Sequence, residues 1–254
     1  MSGGGTRSIG HIGALKALEE YGLKPTILSG TSAGAIVAAF YAAGYTPDEM
    51  LDIVARNNFF TRSSIRLRVP GLFRTEFLER LFQEHFPEDD IAALRLPLYI
   101  AATDLGEGSI HYFSKGSLSR ALLASSSIPF IFPQMTDGEQ SYIDGGILNN
   151  MPIEPLRGKC DMLIGVHVNA PGQTDPSQMG VRKLFDRVVH LAIGSHVYGK
   201  AGLCDLFIDP PGMTRFSMFD KKDFAVIFQY VYEYTVALLE ERGYGRKVPP
   251  ATEG

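Results

Sequence analysis

Hydrophobic and polar positions follow two periods along the chain, one typical of helices and one typical of short buried strands. Apolar positions recur at helical spacing over residues 8–21, which predicts an amphipathic helix, and the alanine-rich stretch 33–43 predicts a second helix that ends at Gly44. Between them, the apolar run 25–29 predicts a strand. This order of helix, strand, turn and helix is typical of α/β proteins.

The same interleaving continues to the end of the chain. Helix patterns begin near Thr46 and Arg74, and residues 224–239 predict a final helix. Further strands are predicted at residues 96–102, 109–113, 141–143, 162–168 and 206–208, with another helix at 181–196. The pattern therefore predicts an α/β sheet that is covered by helices.

We predict one domain over residues 1–254, because no repeat or linker divides the sequence. The loop 171–177 and the tail 249–254 are expected to be its flexible parts. Apolar residues make up 45% of the chain, which is typical of a globular protein. The net charge of −4 gives the chain no general electrostatic attraction to nucleic acid.

Cys160 and Cys204 each precede an apolar run, which favours unpaired thiols in a reducing compartment. Neither cysteine stands at a metal-ligand spacing. No apolar run reaches the ~18 residues of a membrane span, and no signal-peptide pattern is present, so we expect a cytoplasmic location.

The segment "LSGTSAGAI" contains the pattern G-x-S-x-G at Gly30, Ser32 and Gly34, between a predicted strand and a predicted helix. Such a turn lifts a serine hydroxyl clear of the backbone and brings main chain so close that flanking side chains would clash. Glycine and serine are also common in ordinary turns. The pentapeptide alone therefore leaves two interpretations open, a nucleophile or a small residue in a glycine-rich loop.

The segment "SGGGTR" is a candidate oxyanion hole. Gly3, Gly4 and Gly5 lead into a predicted helix, where main-chain N–H groups can point at one spot beside the positive end of the helix dipole. A phosphate loop is the competing interpretation, but a dinucleotide fingerprint would need a glycine at Ser8 and a P-loop would need Gly-Lys-Ser/Thr. The spacing excludes both phosphate motifs.

A serine nucleophile needs a base, and no motif surrounds any of the six histidines, which are His11, His85, His111, His167, His190 and His196. Asp144 ends a predicted strand in "YIDGGILNN", where Gly145 and Gly146 let another loop approach its carboxylate. Asp-Gly is also an ordinary turn signal. These local features alone make Asp144 only a candidate base.

Taken in order, "GGGTR", "GTSAG" and "DGG" resemble the motifs of the patatin-like phospholipase family. The stretches "HIGALKALEEYGL", "ASSSIPFIFPQM" and "IDGGILNNMPIEPL" are similar to that family too, and the resemblance extends from residue 2 to about residue 170. It implies a three-layer α/β/α fold with a central, mostly parallel sheet. It also implies a Ser-Asp dyad that hydrolyses lipid acyl esters through an acyl-enzyme, with no metal or other cofactor.

The resemblance assigns Ser32 as the nucleophile and Asp144 as the base. The implied motif glycines are Gly30, Gly34, Gly145 and Gly146. The implied oxyanion loop comprises Gly3, Gly4, Gly5, Thr6 and Arg7, and Arg7 either fixes this loop or contacts a phosphate. The implied partners are a lipid acyl ester and, transiently, a membrane or lipid-aggregate surface.

The sequence departs from the family pattern in two places. Ser8 stands where the family usually has another glycine, so it either reshapes the hole or caps the helix. The family also has a strand before the glycines, and only Met1 and Ser2 stand there, so we expect a shortened first strand.

Three other functions stay open. An α/β-hydrolase esterase with a Ser-His-Asp triad is disfavoured, because Ser32 follows only one or two strands. An acyltransferase would use the same acyl-enzyme, and a catalytically silent lipid-binding module would not react at Ser32. The irregular stretch 57–73, with Phe59 and Phe60, is either an apolar rim through which lipid enters or a surface loop whose phenylalanines pack into the core.

Overall fold

The structure is a computed structural model that describes residues 1–56, 75–129, 131–170, 172, 179–180, 184, 187, 191, 194, 196–217 and 222–247. The described helices are α1 (Ile9–Glu20), α2 (Ala33–Ala43), α3 (Pro47–Arg56), α4 (Glu76–His85), α5 (Leu118–Ser125), α6 (Gly146–Asn149) and α7 (Phe224–Glu241). The described strands are β1 (Leu28–Thr31), β2 (Leu98–Asp104), β3 (Ser109–Phe113), β4 (Met135–Asp137), β5 (Gln140–Asp144), β6 (Ile164–Val166) and β7 (Leu206–Ile208).

The strands form a five-stranded sheet and a two-stranded sheet. β1 pairs with β2 in parallel and β6 pairs with β7 in parallel, whereas β3 and β5 are antiparallel to β2 and β4 is antiparallel to β5. The backbone of Met1 and Ser2 lies between the two sheets. The Met1 nitrogen donates to the Ser29 carbonyl, Thr31 N–H donates to the Met1 carbonyl, and Ser2 N–H donates to the Val166 carbonyl.

The two bonds between Met1 and β1 follow the parallel pattern, so Met1–Ser2 extends the parallel pair of β2 and β1, and the bond to Val166 links it to the parallel pair of β6 and β7. The antiparallel strands are β3, β4 and β5. The prediction of an α/β fold with a mostly parallel central sheet is confirmed.

Alternate strand residues face opposite sides of the sheet, and both sides are buried. Leu98 and Leu206 belong to the large hydrophobic cluster under α1, α2 and α7. Their neighbours Tyr99 and Phe207 pack on a second cluster that contains Val197. Burial on both sheet faces agrees with the expected three layers.

The helix α1 is not amphipathic, contrary to the prediction, because all of its residues except Lys16 and Glu19 are buried. It packs on α2 and α3 and most extensively on α7. A Cβ atom at Gly13 would lie 2.4 Å from the Phe228 carbonyl oxygen, so this crossing brings the backbones of α1 and α7 into contact. The tail 249–254 lies outside the described residues, as do the loop 171–177 and the helix 181–196 for the most part.

Candidate active site

Ser32 occupies the turn between β1 and α2 in a strained backbone conformation, with φ at 54° and ψ at −134°. A positive φ costs a residue with a side chain on the order of 1–3 kcal/mol and persists only where the surroundings hold it. Both flanking glycines are sterically required. A Cβ at Gly30 would lie 2.6 Å from Cα of Ala35, and one at Gly34 would lie 2.2 Å from the Ser2 carbonyl oxygen.

Ser125, at the end of α5, holds the backbone of this turn. The Ser32 N–H donates to Ser125 Oγ at 2.8 Å, and Ser125 Oγ donates to the Ala101 carbonyl of β2 at 2.6 Å. The strained conformation is thereby tied to the centre of the sheet. No sequence motif indicates this role for Ser125, although it lies in the stretch "ASSSIPFIFPQM".

The pairing of β2 brings Asp144 to Ser32. Thr31 of β1 aligns with Ala101, and Asp144 of β5 aligns with the next residue, Ala102. Because β3 occupies the other edge of β2 over these residues, β1 and β5 meet end to end along one edge. Ser32, which follows β1, and Asp144, which ends β5, therefore lie next to each other although the two strands run in opposite directions.

The Asp144 carboxylate is buried and accepts two hydrogen bonds, one from the Ser32 side chain and one from Gly146 N–H at 2.7 Å. Burial raises its pKa to about 6, and the hydrogen bonds from Ser32 and Gly146 oppose this shift. A Cβ at Gly145 would lie 2.3 Å from the Ala101 carbonyl oxygen. Asp144 is thus a carboxylate that is more basic than usual and in direct contact with a serine hydroxyl.

The glycine loop, residues 3–5, lies against this pair, since a Cβ at Gly3 would be 3.0 Å from Cβ of Ser32. Gly3 N–H donates to Oδ1 and the carbonyl oxygen of Asn150, so it is already engaged. The N–H groups of Gly4 and Gly5 have no acceptor among the described residues. Gly5 has a φ of 55°, which turns the loop into the 3-10 turn that precedes α1.

Arg7 is buried and points into the protein. Its Nε donates to the Phe216 carbonyl at 2.9 Å, and its Nη1 donates to Asn169 Oδ1 at 3.1 Å. Asn169 Nδ2 in turn donates to the Gly3 carbonyl at 2.5 Å. These contacts favour the interpretation of Arg7 as a residue that fixes the loop.

The neighbours of Arg7 are also buried. Thr6 lies in the 3-10 turn, and its Oγ1 has no hydrogen-bond partner among the described residues. Ser8 stands at the N-cap position of α1, but its side chain makes no capping bond. The structure contradicts the alternative in which Ser8 caps the helix, because its Oγ is buried without a partner in the described part of the chain.

An apolar cavity adjoins both Ser32 and the glycine loop. Its lining includes Gly5 and Ala33, the residue after Ser32, and continues with apolar side chains of α1–α4 and α7. Among these side chains are Ile12, Ile36, Phe40, Met50, Leu81 and Phe224. The cavity offers an apolar group a place beside the serine.

The patatin-like phospholipase family model matches residues 1–157, which include Ser32, Asp144 and the glycine loop. This chain belongs to the patatin-like phospholipase family.

Several proteins are similar to this patatin-like chain. An uncharacterized NTE family protein of Mycobacterium tuberculosis is 34% identical over 165 residues, which are 63% of this chain and 28% of that protein. Lysophospholipase nte1 of Aspergillus fumigatus is 29% identical over 71% of this chain and 12% of its own length, and human patatin-like phospholipase domain-containing protein 6 is 29% identical over 71% and 14%. The chain thus spans between 12% and 28% of the length of these relatives.

The crystal structure of VipD from Legionella pneumophila has a similar fold, with a TM-score of 0.55 and 16% identity over 94% of this chain and 66% of that one. The fold likeness thus extends beyond residue 157, where the family match ends. Asn169 and Phe216, which hold the glycine loop through Arg7, lie in this second part. Neither residue stands in a motif, so neither could be recognised from the sequence.

Among the described residues, which do not include His190, no histidine of this patatin-like chain makes a hydrogen bond to Ser32. The His11 Nε2 donates to the Ser2 carbonyl at 2.7 Å, and burial lowers the pKa of His11 to about 3. His167 Nδ1 hydrogen-bonds to Asp209 at 2.8 Å. His85 and His111 pack against aromatic rings.

Cys160 and Cys204 carry free thiols, as predicted. None of the described helices is long and apolar enough to span a membrane, and no cluster of three metal-ligating side chains occurs within the described residues. The stretch 57–73 lies outside the described residues, so the two interpretations of Phe59 and Phe60 stay predictions.

Proposed function

We propose that this chain is a serine lipid acyl hydrolase, of the phospholipase A, lysophospholipase or esterase type, that uses Ser32 and Asp144 as a catalytic dyad. The observation that carries the proposal is the hydrogen bond from a serine on a strained turn to a buried carboxylate whose pKa is raised to about 6. Membership of the patatin-like phospholipase family supports the same reaction class.

In the proposed mechanism, Asp144 takes the Ser32 proton as the hydroxyl oxygen attacks the ester carbonyl carbon. The N–H groups of Gly4 and Gly5 stabilise the resulting oxyanion, since both lack an acceptor in the described structure. The tetrahedral intermediate collapses, the proton passes from Asp144 to the leaving alcohol, and an acyl-enzyme remains. Water then attacks the acyl-enzyme with Asp144 again as base, which releases the fatty acid and restores Ser32.

A carboxylate is ordinarily too weak a base for a serine, and two features of Asp144 counter this weakness. Burial destabilises the charged carboxylate and so increases its affinity for a proton. The hydrogen bond from Ser32 fixes the direction of proton transfer before substrate binds. The base is therefore competent above a pH of about 6, where it is ionised.

The apolar cavity supports a lipid acyl chain as the group that is transferred to Ser32. It adjoins Ala33 and Gly5, so an acyl group in the cavity has its carbonyl carbon beside Ser32 and its carbonyl oxygen beside the glycine loop. A cavity lined by aliphatic and aromatic side chains favours a hydrocarbon chain over a polar acyl group. An acyltransferase would use the same intermediate, with an alcohol instead of water in the second step.

Covalent labelling of Ser32 by a fluorophosphonate tests the proposal most simply. We expect one phosphonyl group per chain on Ser32, no labelling of Ser32→Ala, and release of fatty acid from a lysophospholipid by the wild-type protein. Absence of labelling in the folded wild-type protein would favour a catalytically silent lipid-binding module. Transfer of the acyl group to an added alcohol without release of fatty acid would favour an acyltransferase.

A further inference from the structure

The side chain of Asn169 uses both of its polar atoms to hold the glycine loop. Its Nδ2 donates to the Gly3 carbonyl at 2.5 Å, and its Oδ1 accepts from Arg7 Nη1 at 3.1 Å. The guanidinium fixes the orientation of the amide, because a flipped amide would direct its NH₂ group at another donor. Asn169 lies beyond residue 157, outside the part of the chain that carries the family motifs.

The bond from Asn169 determines where the Gly4 N–H points. In a trans peptide the C=O and N–H groups point in opposite directions, and no cis peptide bond occurs among the described residues. With its C=O held by Asn169, the Gly3–Gly4 peptide directs the Gly4 N–H away from Asn169. The next peptide is fixed likewise, since the Gly4 carbonyl accepts from Arg7 N–H at 3.2 Å, which turns the Gly5 N–H outward.

We infer that Asn169 is a positioning residue that aims the Gly4 N–H at the oxyanion. The inference rests on the proposed function, because it concerns the transition state of ester hydrolysis. Without the bond to Asn169, the Gly3–Gly4 peptide can rotate, and the oxyanion then loses one of its two N–H donors. Ground-state binding in the apolar cavity does not involve this peptide, so it is unaffected.

Two substitutions separate this role from a structural one. Asn169→Asp keeps the shape and the acceptor for Arg7, but it replaces the donor with an oxygen that repels the Gly3 carbonyl. Asn169→Ala removes both bonds and adds no charge. Gln140→Glu is the matched control, because it makes the same amide-to-carboxylate change at an exposed position that keeps its acceptor for the Tyr142 hydroxyl.

The experiment measures hydrolysis of p-nitrophenyl butyrate and inhibition by an alkyl trifluoromethyl ketone, whose adduct with serine carries an oxyanion. We expect kcat to fall about 10- to 100-fold in both Asn169 variants, with KM changed less than about threefold, in line with the loss caused by a misplaced oxyanion donor. The inhibition constant of the ketone should rise by the factor by which kcat/KM falls. Gln140→Glu should match the wild type in all three quantities.

A structural role would change the midpoint of thermal unfolding and leave kcat and the ketone affinity of the folded protein unaltered. That result in either Asn169 variant overturns the inference, as does a rise in KM with kcat unchanged. A wild-type protein that neither hydrolyses the ester nor binds the ketone contradicts the proposed function itself, and the inference fails with it.

Discussion

Asp144 is the last residue of β5 and Asp209 follows β7, and each carboxylate is hydrogen-bonded to a side chain that hydrolases use in catalysis. Asp144 accepts from Ser32, and Asp209 pairs with His167 Nδ1 at 2.8 Å. From residue types alone, the Asp209–His167 pair is the more familiar one, since it is two thirds of a Ser-His-Asp triad. The surroundings of the two pairs differ completely.

The Nε2 atom of His167 is buried and has no hydrogen-bond partner among the described residues, so no serine hydroxyl completes that pair there. Its ring packs between the edge of Tyr198 and the face of Phe207. Ser32, by contrast, stands on a strained turn beside an apolar cavity and two N–H groups that have no acceptor in the described part of the chain. The comparison teaches that the environment of a carboxylate, more than its partner, indicates where chemistry can occur.

Substitution of Ser32 should have the largest effect on activity. Ser32→Ala removes the proposed nucleophile, and we expect kcat for ester hydrolysis to fall by about 10⁴- to 10⁶-fold. The protein should remain folded, because the change opens no large cavity. Residual activity above one tenth of the wild-type value would exclude Ser32 as the nucleophile.

Asp144→Asn keeps the shape of the side chain and removes the proposed base, so kcat should fall on the order of 10⁴-fold, as when a serine triad loses its acid. The same change should stabilise the fold above pH 6. The folded state raises the pKa of Asp144 from 3.8 to about 6, so it binds the proton more tightly than the unfolded state, and stability is lost as the pH rises through this window. Asparagine avoids the loss, which is worth about 1–3 kcal/mol.

Denaturant unfolding at pH 5 and pH 7.5 measures this second effect. The free energy of unfolding of Asp144→Asn should exceed that of the wild type by more at pH 7.5 than at pH 5. An equal difference at the two pH values would mean that the Asp144 pKa is not raised in the folded protein.

Ser125→Ala tests whether the strained turn must be held. The change leaves the Ser32 N–H and the Ala101 carbonyl without their bonds to Ser125, and we expect kcat to fall about 10- to 100-fold with a stability loss of about 1–3 kcal/mol. Ser126→Ala is the matched control, because Ser126 Oγ is buried without a partner among the described residues. Equal losses in the two variants would contradict the role of Ser125.

Substitution of histidines should have small effects on catalysis. We expect His167→Gln to keep kcat within about threefold of the wild type once it is folded, and to lose about 1–3 kcal/mol of stability through its bond to Asp209. Alanine at His11, His85, His111, His190 or His196 should each leave measurable activity, with any loss at His11 due to packing. A folded histidine variant as inactive as Ser32→Ala would favour a triad esterase.

Substitution of the cysteines should have the smallest effect. Both thiols are half-buried and unpaired, and neither belongs to the candidate site. The double variant Cys160→Ser, Cys204→Ser should hydrolyse esters at the wild-type rate, as measured with p-nitrophenyl butyrate. Loss of activity in the folded double variant would require a role for a thiol in catalysis.

Much of the fold could be predicted because the spacing of hydrophobic residues reflects which face of each helix or strand is buried. The strands Ser109–Phe113 and Leu206–Ile208 occur where the pattern predicts them, and α2 ends at Gly44. The burial of α1 on nearly all sides could not be predicted, since it depends on α7, which lies more than 200 residues away in the sequence.

The residues of the candidate site likewise fall into those that the sequence indicates and those that it does not. Ser32, Asp144 and the glycines stand in local motifs because each turn needs small residues around it. Ser125, Asn150 and Asn169 bond to backbone groups that lie between 93 and 166 residues away in the sequence. A hydrogen bond between such distant residues produces no periodic pattern or local motif. Only the folded chain identifies them.

The pH dependence of Ser32 phosphonylation tests the central claim most directly, because it reports the base that activates the serine. The rate of reaction with a small fluorophosphonate should rise with pH to a plateau, with an apparent pKa of about 6, in the wild type and in His167→Gln. In Asp144→Asn the rate should be low and should show no transition near pH 6. A transition that persists in Asp144→Asn, or that disappears in folded His167→Gln, would contradict the assignment of Asp144 as the base.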